Sequence, residues 1–134
     1  MWAIEFSSDK FRPYLPEDSQ VYPGVYGFEL AAWLSQALAA RGVVTSYPNY
    51  EDWGWFIEYL PETEEELMIA CASQSEAGEG SGGKPLDWHI FIKQRKKPNK
   101  RLVKPGAPEA TKLVGDAIVS VLSGEGITVR QVEI

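Results

Sequence analysis

Between Tyr47 and Tyr59 the chain sets six of its sixteen aromatic residues beside three carboxylates: Tyr47, Tyr50, Trp53, Trp55, Phe56 and Tyr59 with Glu51, Asp52 and Glu58. Rings next to acids suit two kinds of chemistry. Aromatic faces stack on the apolar side of a sugar while carboxylates accept its hydroxyl protons. The same combination, buried at an interface, anchors a protein partner. Paired carboxylates can also perform acid–base work, and a retaining glycosidase needs its two carboxyls about 5 Å apart. Neighbouring strand residues point to opposite sides, so Glu51 and Asp52 share a site only if they lie in a turn. The plainer use of these residues is structural, with Trp53 and Trp55 in the core and the acids in a turn. Gly54 between two tryptophans suggests close approach by another backbone, or a bulge. Tyr47-Pro48 is a bond at which a cis isomer would bend the chain.

Other reactive groups are few. His89 is the only histidine and has no serine or cysteine motif beside it; as an alternating strand residue it reads as surface or half-buried. Cys71 is the only cysteine, so no intrachain disulfide forms, and its apolar neighbours make it an inert core thiol. One His and one Cys cannot build the usual structural zinc site of about four such ligands. Gly78-Glu79-Gly80-Ser81-Gly82-Gly83-Lys84 imitates a phosphate loop, but Pro85 stands where Ser or Thr is needed and a strand pattern follows instead of a helix. Lys93–Lys104 holds seven bases in twelve residues. Such a run can contact a nucleic-acid backbone, but no aromatic is interleaved and the chain carries a net charge of −6. A solvated hairpin extension is the simpler reading, since lysines protect exposed edges. The opposite bias lies just upstream: between Gly42 and Gly83 there are nine acids and no Lys or Arg. The two blocks either pair as neighbours in the fold or steer a charged partner.

The elements that must position these residues follow from periodicity. Trp2–Phe6 alternates as a short strand. Ser7–Tyr26 is broken by Pro13, Pro16, Pro23 and Gly24 yet is apolar enough to pack, as an ordered and often functional loop would be. Gly27–Arg41 carries a helical stripe of Phe28, Leu30, Ala31, Leu34, Ala37 and Leu38, with Glu29 in its first turn and Gly42 as its terminator. Val43–Tyr47 reads as a strand. Trp53–Leu60 is a stronger one, with Trp55, Ile57 and Tyr59 on one face and Phe56 and Glu58 on the other. Glu66–Ser73 is apolar on both faces and therefore central. Trp88–Gln94 alternates Trp88, Ile90 and Ile92 against His89, Phe91 and Lys93. Pro108–Leu122 is a second helix with Leu113, Val114, Ala117, Ile118, Val121 and Leu122 as its stripe, and Ile127–Ile134 closes the chain as a strand.

Consecutive strands with short links pair antiparallel. The expectation is a single α+β domain over residues 1–134: two layers, a mostly antiparallel sheet of five or six strands, and two helices on one face. Met1–Phe6 lacks the basic and apolar regions of a signal peptide, and no run approaches a membrane span of roughly 20 residues. The expected compartment is the cytoplasm, with no membrane partner.

Three segments together resemble a group of small bacterial proteins of unassigned function: Phe11-Arg12-Pro13-Tyr14-Leu15-Pro16-Glu17-Asp18, Pro23-Gly24-Val25-Tyr26-Gly27-Phe28-Glu29-Leu30, and Glu51-Asp52-Trp53-Gly54-Trp55. The resemblance covers roughly residues 1–60 and implies no activity, cofactor or catalytic residue. The organisation is similar in style to small bacterial immunity or accessory proteins. The functional expectation is a cofactor-free, non-catalytic binding protein whose site residues are Tyr50, Glu51, Asp52, Trp53 and Glu29, engaging a protein or a polar small molecule. The alternatives are a small hydrolase or carbohydrate-type binder using Glu51 and Asp52, and nucleic-acid binding through Lys93–Lys104.

Overall fold

The computed structural model describes residues 2–11, 26–51, 54–59, 66–73, 86–95 and 108–132. Their elements run β1 (Trp2–Ser8), α1 (Phe28–Ala39), β2 (Asn49–Glu51), β3 (Gly54–Tyr59), β4 (Glu66–Ser73), β5 (Leu86–Arg95), α2 (Pro108–Gly124) and β6 (Arg130–Gln131). The strands form one sheet in the order β2-β3-β4-β5-β1-β6, with every neighbouring pair antiparallel. The α+β expectation of two helices against one antiparallel sheet describes this architecture.

Strand alternation decides the layers. Ile4, Phe6, Trp55, Ile57, Leu67, Ile69, Cys71, Trp88, Ile90 and Ile92 point to the helices. There they join Leu30, Leu34 and Leu38 of α1 and Val114, Ile118, Val121 and Leu122 of α2 in one buried cluster. On the opposite face Phe56, Met68 and Ala70 form a second buried cluster with Phe91 packed against it. β4 is thus buried on both faces, as its unbroken apolar sequence requires. Phe11 is buried as well; its ring lies 5.0 Å from Trp33 and 6.3 Å from both Phe6 and Trp88.

Both helices end by the same device. Gly42 (φ 85°) follows α1, with its N–H bonded to Ala39 and the Val43 N–H to Leu38. Gly126 (φ 77°) follows α2, with its N–H bonded to Ser123 and the Ile127 N–H to Leu122. This is the Schellman pattern, in which a left-handed glycine satisfies the last carbonyls and seats the next apolar residue on the helix.

Five expectations are corrected. Val43–Tyr47 forms no strand of its own; Thr45 makes an isolated bridge to Tyr59. Leu113 is 54% exposed and not in the core stripe: it lies about 100° around the helix from Val114, beyond the arc that meets the sheet. Arg41 stands past the last turn of α1, which ends at Ala39. Of Ile127–Ile134, the described residues 127–132 contribute only the two-residue β6, because Ile127 takes part in terminating α2; residues 133–134 lie outside the described residues. The expected loop begins later than Ser7, since β1 extends to Ser8; residues 12–25 lie outside the described residues.

Candidate functional site

The expected site lies at the β2 edge of the sheet. β2 pairs with β3 in the register Asn49↔Phe56, Tyr50↔Trp55 and Glu51↔Gly54. The chain before it follows a different register, Thr45↔Tyr59, with the Ser46 N–H donating to the Glu58 carbonyl at 2.8 Å. Between Thr45 and Asn49 three residues therefore face two on β3. The surplus residue is Tyr47, a bulge of the kind that re-aims a side chain, and Tyr47 is 92% exposed. Pro48 has no N–H to offer the ladder, which suits an edge; the Tyr47–Pro48 bond is trans.

Side chains occupy the backbone groups of this edge. The Ser46 hydroxyl accepts the Glu58 N–H at 2.9 Å and donates to the Tyr47 carbonyl at 3.0 Å. Asn49 Oδ1 accepts the Tyr50 N–H at 2.8 Å. A short, bulged edge whose Tyr50 N–H and Tyr47 carbonyl are already engaged by side chains is poorly suited to accept another strand. It displays side chains instead: Val44 (70% exposed), Tyr47 and Tyr50 (63%) stand out, with Glu51 also exposed.

A row of rings connects the edge to α1. Tyr50 lies 5.5 Å from Trp55, and Trp55 lies 5.1 Å from Phe28, both in edge-on geometry. Trp55 is buried and its Nε1–H has no hydrogen-bond partner. Gly27, the residue before α1, sits directly on β4: a Cβ there would meet the Cys71 carbonyl oxygen at 2.3 Å and Trp55 Cδ1 at 3.1 Å. Tyr26 and Ser73 tie the same point, the Tyr26 N–H donating to Ser73 Oγ and the Ser73 N–H to the Tyr26 carbonyl, both at 3.0 Å. Gly54 meets the expectation of close approach, since its Cβ would lie 3.1 Å from Ala72 Cβ and 3.2 Å from the Cys71 oxygen.

Of the five expected site residues, Tyr50 and Glu51 share the exposed edge. Glu29 is in the first turn of α1 but is buried, at 5% exposure. It adjoins the far end of the ring row and does not share the surface with Tyr50. Asp52 and Trp53 lie outside the described residues. Val44 and Tyr47, also exposed, are not among the expected site residues, although Tyr47 opens the segment that the Pro48-Asn49 break leaves free to form a site. Their signal was the Pro48-Asn49 break, which marks where a strand cannot continue smoothly.

The remaining reactive groups are placed as follows. Cys71 is fully buried, and desolvation pushes its thiol far above its ordinary range, as an inert core thiol requires. His89 stacks near Phe91, 5.4 Å away, with Nε2 buried and without a partner. Ser7, on the neighbouring strand, gives its hydroxyl to Asp87 Oδ1 at 2.8 Å. The basic run begins on β5, where Lys93 is exposed and Arg95 stands opposite Glu66 of β4; that pairing brings the start of the basic block beside the acidic one. Residues 96–104 lie outside the described residues. Among the described residues no three His, Cys, Asp or Glu side chains gather as a metal would need, and no helix is long and apolar enough to cross a membrane.

A separate cleft of about 980 Å³ opens at the other end of the sheet, where the chain at 125–130 diverges from β1. Four of its charged groups pair: Lys10 with Glu125 at 3.2 Å and Arg130 with Glu5 at 2.7 Å. Comparison with protein-family models, curated proteins and solved structures yields no match.

Proposed function

We propose that the protein is a non-catalytic binding protein that engages a protein partner through the bulged edge at Val44–Glu51, with Tyr47 and Tyr50 as anchors. One observation carries this reading: of the four large hydrophobic residues exposed among the described residues, three fall within seven positions, at Val44, Tyr47 and Tyr50. Scattered exposed apolar residues are ordinary, whereas a contiguous group marks an interaction site, and tyrosine is among the residues that dominate binding energy. Tyr50 is backed by Trp55, so its ring is held in place before any partner arrives. A single buried thiol is compatible with the proposed cytoplasmic setting.

The test is a photo-crosslinking amino acid placed at position 47, with position 113 as a surface control. The expected result is a defined adduct from position 47 alone. Excess unlabelled protein should compete it away, and excess Tyr47→Ala/Tyr50→Ala protein should not. Equal adducts from both positions, or equal competition by the double variant, would overturn the proposal.

A further inference from the structure

We propose that the cleft between β1 and residues 125–130 is a second site, independent of the β2 edge, and that it takes a short extended peptide whose main chain pairs with Ser7 and whose central residue is basic. β1 and β6 pair in the register Ile4↔Gln131 and Glu5↔Arg130, and the Val132 N–H donates to the Ala3 carbonyl at 3.1 Å. Main-chain groups alternate sides along a strand, so Ala3, Glu5 and Ser7 turn theirs toward β6 while the residues between them turn toward β5. The next pair in this register would join Ser7 to Thr128. It is not made: the pairing stops at Glu5↔Arg130, and the Ile127 N–H is bonded to Leu122 at the end of α2. The Ser7 N–H and C=O therefore face the cleft with no strand opposite them. Such groups are what an added peptide strand uses. The β2 edge differs, since side chains of Asn49 and Ser46 engage the Tyr50 N–H and the Tyr47 carbonyl there. At Ser7 the side chain is turned away, its hydroxyl given to Asp87 Oδ1.

Two ion pairs set the length of the occupant. Arg130–Glu5 bounds the open stretch at one end and Lys10–Glu125 at the other. From Ser7 to Lys10 the span is at most about 10 Å, room for about three extended residues. The cleft volume of about 980 Å³ lies at the upper end of ligand sites, roughly 300–1,000 Å³. Register then assigns the side chains. A residue directly opposite Ser7 shares its face of the sheet, and Asp87 shares that face too, as its 2.8 Å bond with Ser7 shows. Among the described residues Asp87 and Asp9 make no ion pair, whereas Lys10 and Arg130 are both matched. A lysine or arginine opposite Ser7 can reach across that small side chain to the exposed carboxylate of Asp87. The residues on either side of it turn to the face of Phe6, where Phe6 and Ile127 are buried in the cleft wall, so apolar side chains suit them.

The experiment is an amide NMR titration of the full chain with capped tripeptides: acetyl-Val-Lys-Val-amide, the same peptide N-methylated at its lysine, and the counterparts with Gln or Glu at the centre. The lysine peptide should shift the amides of Ser7 and Thr128 furthest and bind more tightly than the glutamine peptide. N-methylation removes the N–H that the Ser7 carbonyl would accept, and should weaken binding by about tenfold. Asp87→Asn keeps an acceptor for the Ser7 hydroxyl and loses only the charge, so it should abolish the preference for lysine over glutamine. Four results would overturn the proposal: no shift at Ser7 and Thr128 up to the solubility limit of the lysine peptide, equal binding of the N-methylated peptide, equal binding of the glutamate peptide, or an unchanged preference in Asp87→Asn. Shifts at Ser7 and Thr128 produced by concentrating the protein alone would assign the open edge to a second copy of the chain, and would overturn it as well.

Discussion

Replacing Gly27 by Ala should destabilise the fold, and replacing Gly124 by Ala should not. At Gly27 φ is 164°, outside the left-handed region that favours glycine. The conflict is steric. A Cβ would stand 2.3 Å from the Cys71 carbonyl oxygen, a backbone atom of β4, and 3.1 Å from Trp55 Cδ1. Restoring ordinary contact requires α1 to retreat by about 1 Å from a strand buried on both faces, and overpacking of this kind costs about 1–3 kcal/mol. Alanine is also a poor N-cap, which adds roughly 0.5 kcal/mol. The expected loss is about 2–3 kcal/mol, a fall in Tm of roughly 6–12 °C for a domain of this size. Gly124 ends α2 with nothing within 4 Å of its added Cβ, so alanine there should be neutral or up to about 1 kcal/mol stabilising through helix propensity. Urea denaturation followed by tryptophan fluorescence measures both. If Gly27→Ala unfolds within about 0.5 kcal/mol of the parent, the packing of α1 on β4 is not as described.

Two further outcomes follow from burial. Leu113→Glu should change stability by no more than about 0.5 kcal/mol, whereas Ile118→Ala on the same helix should cost about 2–4 kcal/mol; equal losses in denaturant melts would contradict the orientation of α2. Cys71 should resist a thiol reagent in the native protein and react only as the chain unfolds, because burial disfavours the thiolate; rapid stoichiometric labelling without denaturant would refute its placement.

The parts of the fold that were legible in the sequence are those where one physical demand acts alone. The alternation of β3 and β5 follows from which face meets the helices, and the uniform apolarity of β4 follows from its having two buried faces. Gly42 marks a helix end because no other residue adopts φ 85° there as cheaply. Where two demands compete, sequence reading fails. Ile127 has the β-branched character of a strand residue, but the termination of α2 claims it first. Thr45 and Ser46 look like strand, yet their hydroxyls bond nearby backbone groups and shift the register by one. Tyr50 and Glu51 could be identified as neighbours of the break at Pro48-Asn49. Tyr47 borders the same break, but its place as the surplus residue of a bulge depends on hydrogen bonds made by Ser46 to a different strand. Glu29 was correctly placed in the first turn of α1, but how deeply it is buried depends on tertiary packing that periodicity does not report.

The position of β1 bears on how this chain acquires its fold as it is made. β1 precedes the other described strands and helices along the chain, yet it is an interior strand, held between β5 and β6. Its partners on β5 lie 78 residues away at Ser8↔Leu86 and 90 away at Trp2↔Ile92. At translation speeds of about 5–20 residues per second, Trp2, Ile4 and Phe6 wait several seconds before a strand exists to cover them. The meander β2-β3-β4-β5 is built from local pairings and can assemble in that interval, since short loops close first. β1 then docks onto a completed edge of β5, and β6 seals it after α2 has formed. Removing β1 would therefore open a gap within the sheet, and residues 130–131 would lose the strand on which they pair.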